Sequence, residues 1–99
     1  QHITLPMLFS DILIYCTERN VMLVDHRVDD NIKAENVIFI GLLCKHGHWH
    51  AVIYDIAQDK TTELGIENII DISYSFGKTI QTRDISIDNY HQFLNPIDS

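Results

Sequence analysis

Residues 42–55 read LLCKHGHWHAVIYD. Two apolar runs meet there at one glycine, Gly47, and no other stretch limits the fold so tightly. His46-Gly47 is an X-Gly pair of the kind that two-residue hairpin turns favour, because glycine takes positive φ without steric cost. Reading it as a hairpin tip fixes the pairing of both arms. Lys45 faces His48, Cys44 faces Trp49 and Leu43 faces His50. Cross-strand partners share a face and successive residues alternate between faces. His48 and His50 therefore fall on one face, and Cys44 and Trp49 on the other.

That division bears on the chemistry of CKHGHWH, which holds three of the chain's six histidines. Zinc needs donors converging on one point at about 2.0–2.3 Å. A strand supplies two same-face ligands readily and four rarely. A site on His48 and His50 would need a third ligand from elsewhere, with Asp25, His26 or Tyr54 as the choices. The main expectation is a hairpin with partly exposed histidines, no bound metal and no cofactor.

Nucleophilic catalysis meets similar obstacles. WHAVIYD is similar to the histidine strand of papain-like cysteine peptidases. That chemistry needs a thiol at a helix start, where its pKa falls. Cys16 instead lies within LIYCTE, on the apolar side of a helical pattern, close before His50. A fragment of such a peptidase, or a hydrolase using a His48–His50 metal, is the alternative reading. Asp29-Asp30 and Asp84/Asp88 sit in turn or cap contexts, where solvated carboxylates are ordinary. No phosphate loop, G-x-S-x-G elbow or CxxC pair is present.

Around the hairpin the chain reads as one domain, residues 1–99, with one modest core. Its composition, 45% hydrophobic and 21% charged, is that of a folded domain. The first residue is Gln, which suits a processed product or an excised domain. Residues 7–19 place Leu8, Phe9, Ile12, Tyr15 and Cys16 at helical spacing, with Pro6 suited to the start and Asn20 to the stop. NVMLVDHRV, ENVIFIGLLCK, HWHAVIYDIA and TELGIENIIDISYS read as strands, and KTIQTRDISI as an edge strand. DNYHQFL, within residues 88–94, reads as a short helix capped by Asp88.

Consecutive strands with short connections pair antiparallel as a meander. Several strands are apolar on both faces. The expectation is a mainly β (α+β) fold: a small antiparallel SH3-like β-barrel of four or five strands over about 21–87. An N-terminal helix flanks it and a short C-terminal helix follows.

The longest central apolar stretch falls well short of the ~20 residues that span a bilayer, and the N-terminal LPMLFSDILIYC lacks a basic leader. Cys16 and Cys44 suit buried thiols in a reducing, cytoplasmic compartment. Seven Lys and Arg against a net charge of −7 argue against strong nucleic-acid binding by this segment.

GHWHAVIYDIAQDKTTELGIENIIDISYS, residues 47–75, resembles the heart of the WYL domain, an SH3-like barrel module of bacterial transcriptional regulators. Trp49 matches the family Trp, while His50 and Ala51 stand where Tyr and Leu are usual. Tyr54 falls at an aromatic or polar position. Leu64 matches the family Phe of the next strand and Ile69 its Ile. The helix at 7–19 and the strand at 21–27 are similar to the family's opening elements, with Asp25 or His26 near its usual Tyr.

The three family arginines fall on Thr62, Gly65 and Asn68. An arginine fork pairs with phosphate in two parallel bonds, which neither Thr nor Asn reproduces. The resemblance implies a non-catalytic regulatory, ligand-sensing or interaction module, with Asp25, Trp49, His50, Tyr54, Thr62 and Asn68 around its ligand site. It implies self-association or an attached DNA-binding domain as partners, and no anion at the usual place.

Overall fold

The computed structural model describes residues 5–75. They form one helix and five strands in a single antiparallel sheet. Helix α1 spans Leu5–Glu18, β1 Val21–Val28, β2 Asn31–Lys45, β3 His48–Asp55, β4 Lys60–Gly65 and β5 Ile69–Tyr74. A 3-10 turn, Ile66–Asn68, separates β4 from β5. The edge strand expected at 78–87 and the helix at 88–94 lie outside the described residues. No described helix is long and apolar enough to cross a membrane.

The β2–β3 hairpin has the register read from the sequence. Lys45 pairs with His48, Cys44 with Trp49 and Leu43 with His50. His46 and Gly47 both have positive φ, 52° and 80°, as a two-residue left-handed turn requires. Further along, the register shifts between Phe39 and Gly41, and β2 carries one extra residue there. Such a bulge bends its strand and sharpens the twist.

The meander expectation holds for β1 to β4 and fails at β5. The strand order is β4-β3-β2-β1-β5, so the chain crosses from one edge of the sheet to the other after Gly65. The run TELGIENIIDISYS is therefore two strands. The 3-10 turn breaks it and sends Ile66 into the core at 1% exposure. In a flat sheet of five strands the edges stand about 19 Å apart. The four residues from Gly65 to Ile69 reach at most about 14 Å. The sheet must curl until its edges approach. They do not pair with each other, so the expected closed barrel is an open, curled sheet with one helix.

One face of the sheet holds the main core. Met22 and Val24 of β1, Val37, Phe39 and Leu42 of β2, Ala51 and Ile53 of β3 and Leu64 of β4 pack there with Leu8, Ile12 and Cys16 of α1. The helix residues are spaced four apart and so form one stripe. Phe9 meets Trp49 edge to face with ring centroids 5.3 Å apart, and Tyr15 lies 5.8 Å from both Phe39 and Tyr74. The helix stops one residue earlier than Asn20 suggests. Arg19 takes the left-handed φ of 58°, its N–H bonds the Tyr15 carbonyl at 2.9 Å, and its Nε–H donates to the Cys16 carbonyl at 2.8 Å. Those bonds offset the cost of left-handed backbone at a non-glycine residue. Ile40 and Val52 form a second, fully buried cluster on the opposite face, with Leu43 and Tyr54 packed against it.

Candidate functional site

The register decides which polar side chains meet. His26 pairs with Lys33, Glu35 with Val24, and Asp55 with Val37. These partners place His26, Glu35 and Asp55 on the core face of three adjacent strands, diagonal to one another. Diagonal neighbours on one face are within reach of long side chains. His26 Nε2 lies 2.6 Å from Glu35 Oε2, and both His26 and Asp55 are buried.

Burial alone would raise the Glu35 carboxyl. The His26 hydrogen bond and charge and the nearby Lys33 ammonium outweigh it and hold the group below its ordinary value. An ionised carboxylate only accepts, so His26 Nε2 carries the shared proton as donor. Asp55 Oδ1 accepts the Gln58 N–H at 3.2 Å, which ties the trio to the β3–β4 turn. Every buried side-chain nitrogen and oxygen among the described residues has a partner. The trio is a largely buried polar cluster whose outer edge is Glu35, 3.6 Å from the exposed Lys33.

The other end of β2 is open. The hairpin tip and the 3-10 turn form a pocket of about 120 Å³ lined by Gly47, His48, Trp49, Ile66 and Glu67. His48 Nδ1 lies 3.5 Å from Glu67 Oε1, and both side chains are mostly exposed, at 64% and 71%. Beside it Lys45 Nζ donates to Glu63 Oε1 at 2.9 Å. Of the site residues read from the sequence, Trp49 and the candidate metal ligand His48 line this pocket.

The remaining positions scatter. Trp49 and Thr62 belong to the core face, Thr62 opposite Ile53. Asp25, His50 and Tyr54 belong to the opposite face. There Asp25 pairs with Ala34 and Tyr54 with Ile38, four residues apart along β2 and on different flanks of it. That separates them by more than about 13 Å along the strand alone. Tyr54 Oη–H donates to Asp59 in the β3–β4 turn. Asn68 is exposed in the 3-10 turn. Thr62 and Gly65, two of the positions where the WYL family carries arginines, project to opposite faces.

His48 and His50 share a face, as the hairpin reading requires, and Cys44 stands on the other. Among the described residues, no group of three His, Cys, Asp or Glu side chains is placed to hold a metal ion. Cys16 is buried on the inner face of the helix, and burial, only partly opposed by Arg19, pushes its thiol up to about 11. That is the reverse of an activated nucleophile. Cys44 is free and exposed.

No family model matches the chain, and no curated relative matches it either.

Sequence reasoning missed the buried trio and the Glu67 rim. A signal for the trio was present. His26 continues the Met22–Val24 alternation, Glu35 the Val37–Phe39 alternation and Asp55 the Ala51–Ile53 alternation. Each is a polar residue standing in an apolar register. Glu67 carried no such mark, because its place depends on the turn that splits the last two strands.

Proposed function

We propose that the chain is a non-catalytic regulatory or interaction module, in keeping with its WYL-like pattern, serving an attached output domain in a bacterial cytoplasmic protein. The observation that carries this reading is the separation of the reactive side chains. The Cys16 thiol is sealed in the core and held protonated. Cys44 and His50 project to opposite faces of the same hairpin and cannot form a thiolate–imidazole pair there. Among the described residues the one tight His–carboxylate contact, His26–Glu35, is largely buried, with the imidazole 9% and the carboxylate side chain 17% exposed. The helix followed by a curled antiparallel sheet supports an SH3-like architecture. What the surface does offer is a rim of exposed charge around a small pocket at the hairpin end.

The test is metal analysis and substrate screening of the purified full chain alongside His48→Ala and His50→Ala. The expected result is no stoichiometric zinc, no hydrolysis of peptide or ester substrates, and an unchanged fold in both variants. Stoichiometric metal lost with both replacements, or turnover lost with His50→Ala, would overturn the reading in favour of a hydrolase.

A further inference from the structure

The pocket between the hairpin tip and the 3-10 turn is built for one sign of charge. Trp49 and Ile66 supply apolar wall, Gly47 leaves one side without a side chain, and Glu67 and His48 stand at the rim. Pockets that enclose a nucleotide-sized or drug-sized ligand run to roughly 300–1,000 Å³. At about 120 Å³ this one takes a head group of a few heavy atoms. An indole beside a carboxylate is the chemistry that recognises an organic cation. The ring quadrupole attracts the charge, and the carboxylate accepts its N–H bonds. His48 is the rim group suited to an anion, but its Nδ1 is already directed at Glu67. The neighbouring cation, Lys45, is paired with Glu63.

The geometry points to this pocket as the docking point for a lysine or arginine side chain of a basic partner protein. The inference rests on the interaction-module reading and gives that module a partner class. The net charge of −7 favours the same class, because it steers basic surfaces toward the protein. A side chain supplied by a partner also fits the volume, since only its head group needs to enter. His48 bears on the same carboxylate as the incoming cation and so competes with it.

Trp49 is the chain's single tryptophan, so its emission reports this one position, where the pocket wall meets Phe9 of the helix. The full chain is titrated with the methylamides of Nα-acetyl-lysine and Nα-acetyl-arginine. The norleucine analogue serves as neutral control and tetramethylammonium as free cation. Amide shifts of Gly47 and Glu67 give a second readout. The expected result is saturable change with the two basic amides, with Kd on the order of millimolar, and none with norleucine. Glu67→Gln weakens binding about three- to tenfold, and His48→Ala strengthens it.

A lysine response equal to that of norleucine overturns the proposal. So does one unaltered in a Glu67→Gln variant that melts like the parent. Tetramethylammonium bound tenfold more tightly than the lysine amide also overturns it, since the ligand would then be a free quaternary amine. Any of these failures leaves the interaction-module reading standing while the protein stays metal-free and inert. Metal-dependent hydrolysis sinks that reading instead.

Discussion

A histidine and a glutamate meet near each end of β2, and the two pairs live in different media. Near the β1–β2 turn, His26 and Glu35 sit 2.6 Å apart with His26 only 7% exposed. At the hairpin tip, His48 and Glu67 sit 3.5 Å apart in solvent. The chemistry of the partners is the same, and the surroundings differ. A buried ionised group costs much more to leave unpaired than an exposed one, because water no longer compensates. The inner pair is therefore committed to the fold. The outer pair contributes little to the fold, and its carboxylate is available to a partner.

The sharpest way to break this contrast uses the two cysteines, which repeat it in another residue type. Cys44 is exposed on a hairpin arm, while Cys16 is buried with its thiol pushed up to about 11. A thiol-specific reagent at pH 8 should label one equivalent per native chain. The second equivalent should appear at least about a hundredfold more slowly, because Cys16 reacts only through local opening. Mass spectrometry of the labelled peptides assigns the sites. Equal rates would mean that the helix does not seal the core.

Next in size is the stability difference between the two pairs. Glu35→Ala leaves the buried His26 without its partner and should cost about 2–3 kcal/mol in urea unfolding. Glu67→Ala should stay within about 0.5 kcal/mol, as surface ion pairs do. Similar costs at both ends would erase the distinction drawn from burial.

How much of this was legible in the sequence follows from what each feature depends on. The hairpin register was readable because His46-Gly47 is a local signal and strand alternation propagates it from Lys45–His48 outward. The helix was readable because Leu8, Ile12 and Cys16 repeat at one period. β5 was not, because Ile66 and Ile70 keep an apolar spacing straight through the 3-10 turn, and only the tertiary core rewards breaking the run at Gly65. The closed barrel failed for the same reason. Alternation states which face a residue takes, and says nothing of whether the two outer strands pair. The trio needed three registers at once: His26 against Lys33, Glu35 against Val24 and Asp55 against Val37.

A smaller effect separates the charge of Glu35 from its shape. Its folded-state pKa lies below the ordinary 4.5, chiefly because the His26 bond overcomes the cost of burial. A depressed carboxylate contributes stability that is fully present above its unfolded pKa. That stability is lost as pH falls through the folded value. Urea midpoints measured downward from pH 6 should therefore fall through the acid range, and Glu35→Gln, which keeps an acceptor for His26, should flatten that fall. An acid limb unchanged by Glu35→Gln would assign it to other carboxylates.

The smallest expected effect tests the turn that creates the open end. Gly47 has φ of 80°, and a Cβ built there meets nothing within 4 Å. Gly47→Ala therefore adds no clash, and its cost comes from the backbone alone, about 1 kcal/mol for holding a non-glycine residue left-handed. His46, at φ of 52°, already bears such a cost, so His46→Gly should shift stability by less than that. Because Gly47 also lines the pocket, Gly47→Ala distinguishes two origins of the open end. Retained emission of Trp49 with a loss near 1 kcal/mol means that the pocket is held by β3 and the 3-10 turn, and that the turn only joins the arms. A shifted emission with the same loss means that the left-handed tip itself positions the indole.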